Sequence, residues 1–369
     1  MSQAKSSLRC AFSGPPRVLT LRLGPAHSRA NLLLSSGGNP MRKLFGGVLA
    51  VALVGGAGAA SAQNVTMRIS HQVPTAHHLH RMLEGFAADA QKNTNGSVTV
   101  QLFPAEQLHK AGENHPAVAR GAVEAAVSVN QQWGNTLPEM NVVVIPYFFS
   151  ELERIKKFPG SEAARMIEGK LEQKGVKNLA WFYITRQAIY TSGKKPLLVP
   201  DDFKGMKVRG FNAIADQALI AVGASPSALP GPEIYNALQT GVLDAGLTDV
   251  SAAYSRRYYE VQKFGTVTPA LTVYFHLYVN PAWWAKLTPA QRAGLEAAGK
   301  KAEQDAIGIT EQTAEDAIRQ LQEKGMTIKV HNKAEADAWK AVMQKPVIDA
   351  FTKAAGADGE KIIQLMNKL

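Results

Sequence analysis

VTMRISHQVPTAHHLHRMLEGFAADAQKNTNGSVTVQL, residues 65–102, changes hydrophobic period twice, and those changes set the fold class. Val65 to Ser70 reads as a strand. Leu79, Met82, Leu83, Phe86, Ala87 and Ala90 then recur at three- and four-residue spacing, which is one apolar face of a helix. Asn93-Thr94-Asn95-Gly96 is turn chemistry. Val98, Val100 and Leu102 alternate with Thr99 and Gln101, the pattern of a half-buried strand. Strand, helix and strand in this order imply a parallel pair joined by a crossover, and so an α/β fold.

Upstream of this unit lies a leader. Met41-Arg42-Lys43, an apolar run from Leu44 to Val54 and the small residues ending Ala60-Ser61-Ala62 form the three regions of a secretory signal peptide. Residues 41–62 are therefore expected to be cleaved, leaving the product in the periplasm. Residues 1–40 precede the signal and hold no acidic residue; they read as an extension that is either untranslated, with the start at Met41, or disordered. The charge balance changes with the leader. Of 41 Lys and Arg, seven fall in the first 62 residues, so 34 basic residues face 30 acidic ones and the net charge drops from +11 to +4. No basic stripe remains to argue for nucleic acid. The only cysteine, Cys10, goes with the leader, which removes disulfide and thiolate chemistry. No later apolar run is long enough to span a membrane. The remaining 307 residues are enough for roughly two domains.

Downstream, Ala122–Val129, Val142–Ile145 and Leu179–Tyr183 read as further strands. A second α/β stretch begins after Arg186: a short strand through Gly205–Arg209, a helix over Ala213–Val222 and another over Glu233–Thr240. A strand over Val242–Leu247 follows, with Thr248 or Asp249 capping the next helix. Phe264–Val279 is rich in β-favouring residues. Thr288-Pro289-Ala290-Gln291 is a capping box with proline at the first helical position. It opens a helix of about 36 residues, or about 54 Å. Lys333–Met343, Val347–Ala354 and Lys361–Lys368 read as three closing helices.

The motifs of common enzyme sites are missing: no G-x-S-x-G, P-loop, G-x-G-x-x-G or H-E-x-x-H occurs. His77-His78-x-His80 is the one histidine cluster. It lacks a carboxylate or cysteine at ligand spacing, so it reads as a polar helix start rather than a metal site, with His77 a candidate to face a ligand. Asp201-Asp202 reads as a turn, Trp283-Trp284 as a helix start on the core, and Arg256-Arg257 as a solvated face. Arg186 and Arg209 stand at strand ends, where ligands of α/β sheets collect. A guanidinium there can grip a carboxylate with two parallel hydrogen bonds.

A resemblance adds to this reading. Phe86-x₆-Asn93-Thr94-Asn95-Gly96, Phe103-Pro104-Ala105-Glu106-Gln107-Leu108, Ile145-Pro146-Tyr147-Phe148-Phe149, Asp202-Phe203-Lys204-Gly205-Met206-Lys207-Val208-Arg209, Glu233 through Ala245 and Tyr259-Glu260-Val261-Gln262-Lys263-Phe264 resemble, in order, the signature segments of the solute-binding proteins of tripartite ATP-independent periplasmic (TRAP) transporters, the DctP-like family. The resemblance implies a two-domain fold like that of type II periplasmic binding proteins, with a cleft between the lobes and a long helix across both. Lobe I would take residues 63–184 and about 272–311; lobe II would take about 185–271 and 312–369. The implied function is capture of a small organic acid for a membrane permease of a small and a large subunit, without a cofactor and without catalysis. A binding protein serving a sensor is the alternative.

The family's carboxylate-pairing arginine corresponds to Arg209, its second arginine to Arg186, and its following asparagine to Asn212. Gln72 and Thr248 stand where sugar-acid-binding members carry asparagines, and Leu247 replaces a glutamate. Gln132 and Trp133 lie near the position of a missing pocket glutamate, and Tyr274, Phe275 and His276 offer an aromatic lining. Fewer polar groups then face the far end of the ligand, so the expected acid has an apolar, aromatic or keto-bearing tail.

Overall fold

The computed structural model describes residues 64–369; the leader expectations for 1–40 and 41–62 lie outside them. The opening unit folds as the periodicity predicts. β1 (Val65–His71), α1 (His78–Asn93) and β2 (Val98–Phe103) form a crossover with β1 and β2 parallel. Leu79, Met82, Leu83, Phe86 and Ala90 are all buried on the inner face of α1. α2 (Asn114–Ala119) leads into β3 (Ala125–Val129), which pairs parallel with the other side of β1. α3 (Leu152–Lys157) and α4 (Glu162–Gln173) precede β4 (Lys177–Thr185).

After two residues the chain enters a second sheet as β5 (Ala188–Ser192). β6 (Lys207–Gly210), α5 (Gln217–Ala221), β7 (Ser225–Ala228), α6 (Ile234–Gln239), β8 (Ala245–Asp249), α7 (Val250–Ser255) and β9 (Phe264–Thr268) follow. The chain then crosses back as β10 (Val273–Val279), antiparallel to β3 and β4. α8 (Pro281–Lys286), α9 (Pro289–Glu323), β11 (Thr327–Val330) and α10 (Lys333–Asn367) complete it. The first sheet has the order β2-β1-β3-β10-β4 and the second β11-β9-β5-β8-β6-β7. Two lobes are thus joined by two short crossings, at 186–187 and 269–272.

α9 is the long strut. Thr288 caps it: its hydroxyl accepts from the Gln291 amide, and the Gln291 side chain accepts from the Thr288 amide. Its 35 residues span about 52 Å. Leu295, Ala298, Ala302 and Ala306 join the first core; Ala317 and Leu321 join the second, so one helix packs on both sheets.

Four expectations need correction. Val142–Ile145 is not a strand but the end of a 3-10 stretch over Pro138–Val144, because Pro138 presets a helical turn and Asn141 donates to the Pro138 and Gly134 carbonyls. β3 starts only at Ala125. The three closing helices merge into α10, which carries Pro346 and is broken by Gly356 (φ 57°, ψ −146°). Finally, 312–369 does not stay with the second lobe. Trp339 packs on Tyr190 and Phe203 of that lobe, but Gln344 donates to the Pro146 carbonyl, Lys170 pairs with Asp358, and Arg154 donates to the Met366 carbonyl of the tail, all on the first lobe.

Candidate functional site

The carboxyl ends of β1, β3, β6, β7 and β8 converge, together with the amino end of antiparallel β10, on one cavity of about 220 Å³. Volumes of about 300–1,000 Å³ suit drug-sized ligands, so this space fits a small metabolite. The first lobe contributes Gln72, His77, Gln131 and Gln132; the second contributes Arg209, Asn212, Thr248 and Arg256. Phe211, Leu271, Val273 and Phe275 make an apolar wall.

Arg209 projects from β6, the strand the Lys207-Val208-Arg209-Gly210 run builds. Its Nε and Nη2 donate to the Leu229 carbonyl at 3.2 and 3.1 Å, and Nη1 donates to the Leu247 carbonyl at 2.8 Å. Its Cζ lies 4.2 Å from the Phe211 ring centroid, inside cation–π range. Burial, and the nearby Arg256 charge against Asp216 and Asp249, bring its pKa down to about 10, so it stays a cation at neutral pH. Its bonds run to neutral carbonyls, and two of a guanidinium's five N–H groups remain for an incoming anion.

Asn212 lines the same cavity, but its amide is fully engaged. Nδ2 donates to the Gln131 carbonyl at 3.0 Å and to Asn141 Oδ1 at 2.8 Å, while Oδ1 accepts from the Ile214 and Ala215 amides. It clasps the second lobe to the first rather than offering a free group. Gly134 makes room: a Cβ there would stand 2.3 Å from Asn212 Nδ2. Gln132 Nε2 donates to Gln72 Oε1 at 2.6 Å along the first-lobe wall, and Thr248 is buried at the end of β8.

His77 and His78 are held neutral by burial. His77 caps α1, its Nδ1 accepting from the Leu79 amide at 3.1 Å; burial, then His78 and Arg256, hold its pKa well below the usual value. His78 contacts Ser251 Oγ at 3.0 Å from across the lobes, and burial lowers it to about 4. Ser251 in turn donates to Asp249 Oδ1, the cap of α7. Among the described residues no three His, Cys, Asp or Glu side chains are grouped to hold a metal.

Three sequence candidates fall elsewhere. Arg186 is held by Glu311 of α9, with Nη2 to Oε2 at 2.7 Å, and does not reach the cavity. Burial alone would raise the Glu311 pKa, but hydrogen bonds from Arg186 and Tyr183 hold it below the ordinary carboxylate range. Trp133 is buried in the first core against His115, His276 and Tyr278. Tyr274 points away, its hydroxyl donating to the Ile155 carbonyl; side chains alternate along β10, so Val273 and Phe275 face the cavity instead. The sequence reading missed Phe211 and Gln131, and it placed Arg256 on a solvated face; the structure puts Arg256, half-buried, in the cavity wall.

Residues 69–354 match the family model for bacterial extracellular solute-binding proteins, family 7 (DctP). The C4-dicarboxylate-binding periplasmic protein DctP of Rhodobacter capsulatus is 31% identical over 303 residues, 81% of this chain and 90% of that one. A TRAP periplasmic solute-binding protein of Desulfovibrio salexigens with bound orotic acid superposes with a TM-score of 0.78 at 25% identity, covering 82% of this chain and 97% of that one. One from Sulfurospirillum deleyianum with bound succinate gives 0.76 at 26% identity, covering 82% and 99%. The strand-end cavity and these matches together make the chain a member of the family 7 extracellular solute-binding proteins, the DctP-like receptors of TRAP transporters.

Proposed function

We propose that this protein captures a small organic acid in the periplasm, by pairing its carboxylate with Arg209 and closing the two lobes around it, and hands it to the small and large membrane subunits of a TRAP permease for ion-gradient-driven uptake. It acts by binding alone and transforms nothing. The observation that carries this reading is Arg209: a half-buried cation in the wall of the inter-lobe cavity, positioned by two backbone carbonyls, with no carboxylate among the described residues hydrogen-bonded to it. A buried charge without its counter-ion is costly, and an anionic ligand supplies one. Thr248, Gln72, Gln132 and His77 line the remainder, and the apolar wall suits a hydrocarbon or aromatic body. Relatives differ in what they hold, orotic acid in one and succinate in another, and both are carboxylates.

A thermal-shift screen of an organic-acid library tests this directly. A ligand that prefers the folded form raises the melting temperature, by about 2.7 kcal/mol of stabilisation at a hundred times Kd. The expected result is a rise with one group of carboxylates, saturable by calorimetry and with the ligand recovered chemically intact. A rise only with uncharged solutes, or conversion of the ligand, would refute it.

A further inference from the structure

A second cavity, of about 550 Å³, lies against the first sheet and shares no lining residue with the strand-end cavity. β10 stands between the two: Val273 and Phe275 face the first, and Tyr274 faces the second. The floor is three buried rings, Trp181 and Tyr183 of β4 and Tyr274 of β10. The Trp181 and Tyr183 ring centroids stand 6.2 and 6.1 Å from that of Tyr274, so the rings make one continuous wall. Ile155 of α3 and Pro159 after it close one side. α9 closes the other with Lys300, Glu303, Gln304, Ile307 and Gly308, which recur at i, i+3, i+4, i+7 and i+8 and so share one face of the helix.

The polar atoms of the three rings are already engaged. Trp181 Nε1 donates to Glu168 at 2.7 Å, the Tyr183 hydroxyl to Glu311 at 2.6 Å and the Tyr274 hydroxyl to the Ile155 carbonyl at 2.9 Å. The half-buried Glu303 carboxyl is engaged only in part. Its Oε1 accepts from the Trp181 amide at 2.7 Å, while its Oε2 makes no hydrogen bond or ion pair among the described residues. The cations at the rim do not neutralise it: Lys156 pairs with Glu153, and the exposed Lys300 is the weakest of the influences on Glu303. Burial first, and then the Glu168 charge, hold the Glu303 pKa up at about 7 against the hydrogen bond from the Trp181 amide. The cavity therefore presents apolar and aromatic walls around a desolvated acid that lacks a counter-ion.

We propose that this cavity is a second binding site, for an organic cation with a flat apolar body, its ammonium set on Glu303 Oε2 and its body on the Trp181, Tyr183 and Tyr274 rings. The volume lies within the range of about 300–1,000 Å³ that suits small molecules. An ammonium supplies the missing counter-ion, and the rings add cation–π attraction. An anion would instead face a like charge on Glu303. The site stands apart from the Arg209 reading, since the two cavities have no residue in common. Gly308 leaves it room: a Cβ there would meet nothing within 4 Å, so a side chain at 308 would enter the open space.

The test is calorimetry on the full chain at pH 8, where Glu303 is mostly ionised, with benzylamine against benzyl alcohol and tryptamine against tryptophol. Each pair keeps the ring and differs in one small group that carries or lacks a charge. Wild-type protein binds at least one amine more tightly than its alcohol, by about tenfold to a hundredfold. Glu303→Gln, whose side-chain oxygen can still accept from the Trp181 amide, brings that ratio toward one. Gly308→Leu, a better helix former that fills the cavity, weakens amine and alcohol alike in a chain with the wild-type circular dichroism spectrum. Arg209→Ala binds the amine as the wild type does, which separates this site from the strand-end cavity. Four results overturn the proposal: a wild type that binds neither amine, equal binding of amine and alcohol, an unchanged ratio in Glu303→Gln, or loss of the amine heat in a folded Arg209→Ala.

Discussion

At Arg209 the side chain was legible in the sequence as a strand-end guanidinium, but its partners were not. Leu229 and Leu247 offer main-chain carbonyls, which no residue pattern marks. Arg186 shows the converse. Its strand-end position was read correctly, yet Glu311, 125 residues later, takes it, and a pairing at that separation has no local signal. Arg256 was misjudged because a basic pair looks solvated; only the turn of α7 separates the half-buried member from the exposed one. The buried histidines set an acid response. Burial lowers His71 and His276 to about 3 and His78 to about 4, all below the ordinary 6.5. They are neutral in the fold and take up protons when it opens, so their contribution is present above about 6.5 and lost as pH falls toward 4. Glu303, raised to about 7 by burial, opposes this between its unfolded value of 4.5 and 7, and Asp216 is raised as well, whereas His77 and His331 are depressed and act with the other three rings. Each pKa unit is worth about 1.4 kcal/mol. The midpoint of thermal unfolding should therefore fall steadily from pH 7 to pH 4; a flat profile would show that these rings are not held neutral.

At the scale of elements, the parts with a local signature came out of the sequence: the β1–α1–β2 crossover, the Thr288 cap and, as one of two candidates, the Asp249 cap. Those decided by tertiary packing did not. Val142–Ile145 is an apolar run, which fits a buried strand or a buried turn equally, and Asn141 with Pro138 settles it as a turn. The four-residue strands β7 and β11 are too short to show a period. The clasp from Asn212 to Gln131 and Asn141 joins loop to loop and has no period at all. Its dependence on Gly134 gives a clean prediction. Gly134→Ala drives a methyl into Asn212 and Asn141 and breaks two buried hydrogen bonds, a loss of about 1–3 kcal/mol in urea denaturation. Affinity for the acid should fall with it, since the clasp holds the lobes together. Unchanged stability would mean the loop relaxes and the clasp contributes nothing.

At the largest scale, residues 64–369 are two sheets tied by short crossings and braced by α9, and their division into two α/β halves was readable from length and strand order. The return of α10 to the first lobe was not, because its helical pattern carries no address. In this frame Arg186 sits in the crossing between β4 and β5, and Glu311 tethers that crossing to the strut. It braces the link between the two sheets. Arg186→Met should cost about 1 kcal/mol of stability, the scale of a half-exposed ion pair, and weaken binding far less than loss of Arg209. Binding abolished as completely as by an Arg209 substitution would return Arg186 to the ligand.

The central claim is that one guanidinium in the inter-lobe cavity holds the carboxylate. Titration calorimetry of wild type, Arg209→Ala and Arg209→Lys with the acid identified by screening measures it most directly. The account predicts saturable heat for the wild type, none for the alanine variant and at least tenfold weaker binding for lysine, whose ammonium lacks the planar fork, with all three sharing one circular dichroism spectrum. An alanine variant that folds and binds with wild-type affinity would contradict it.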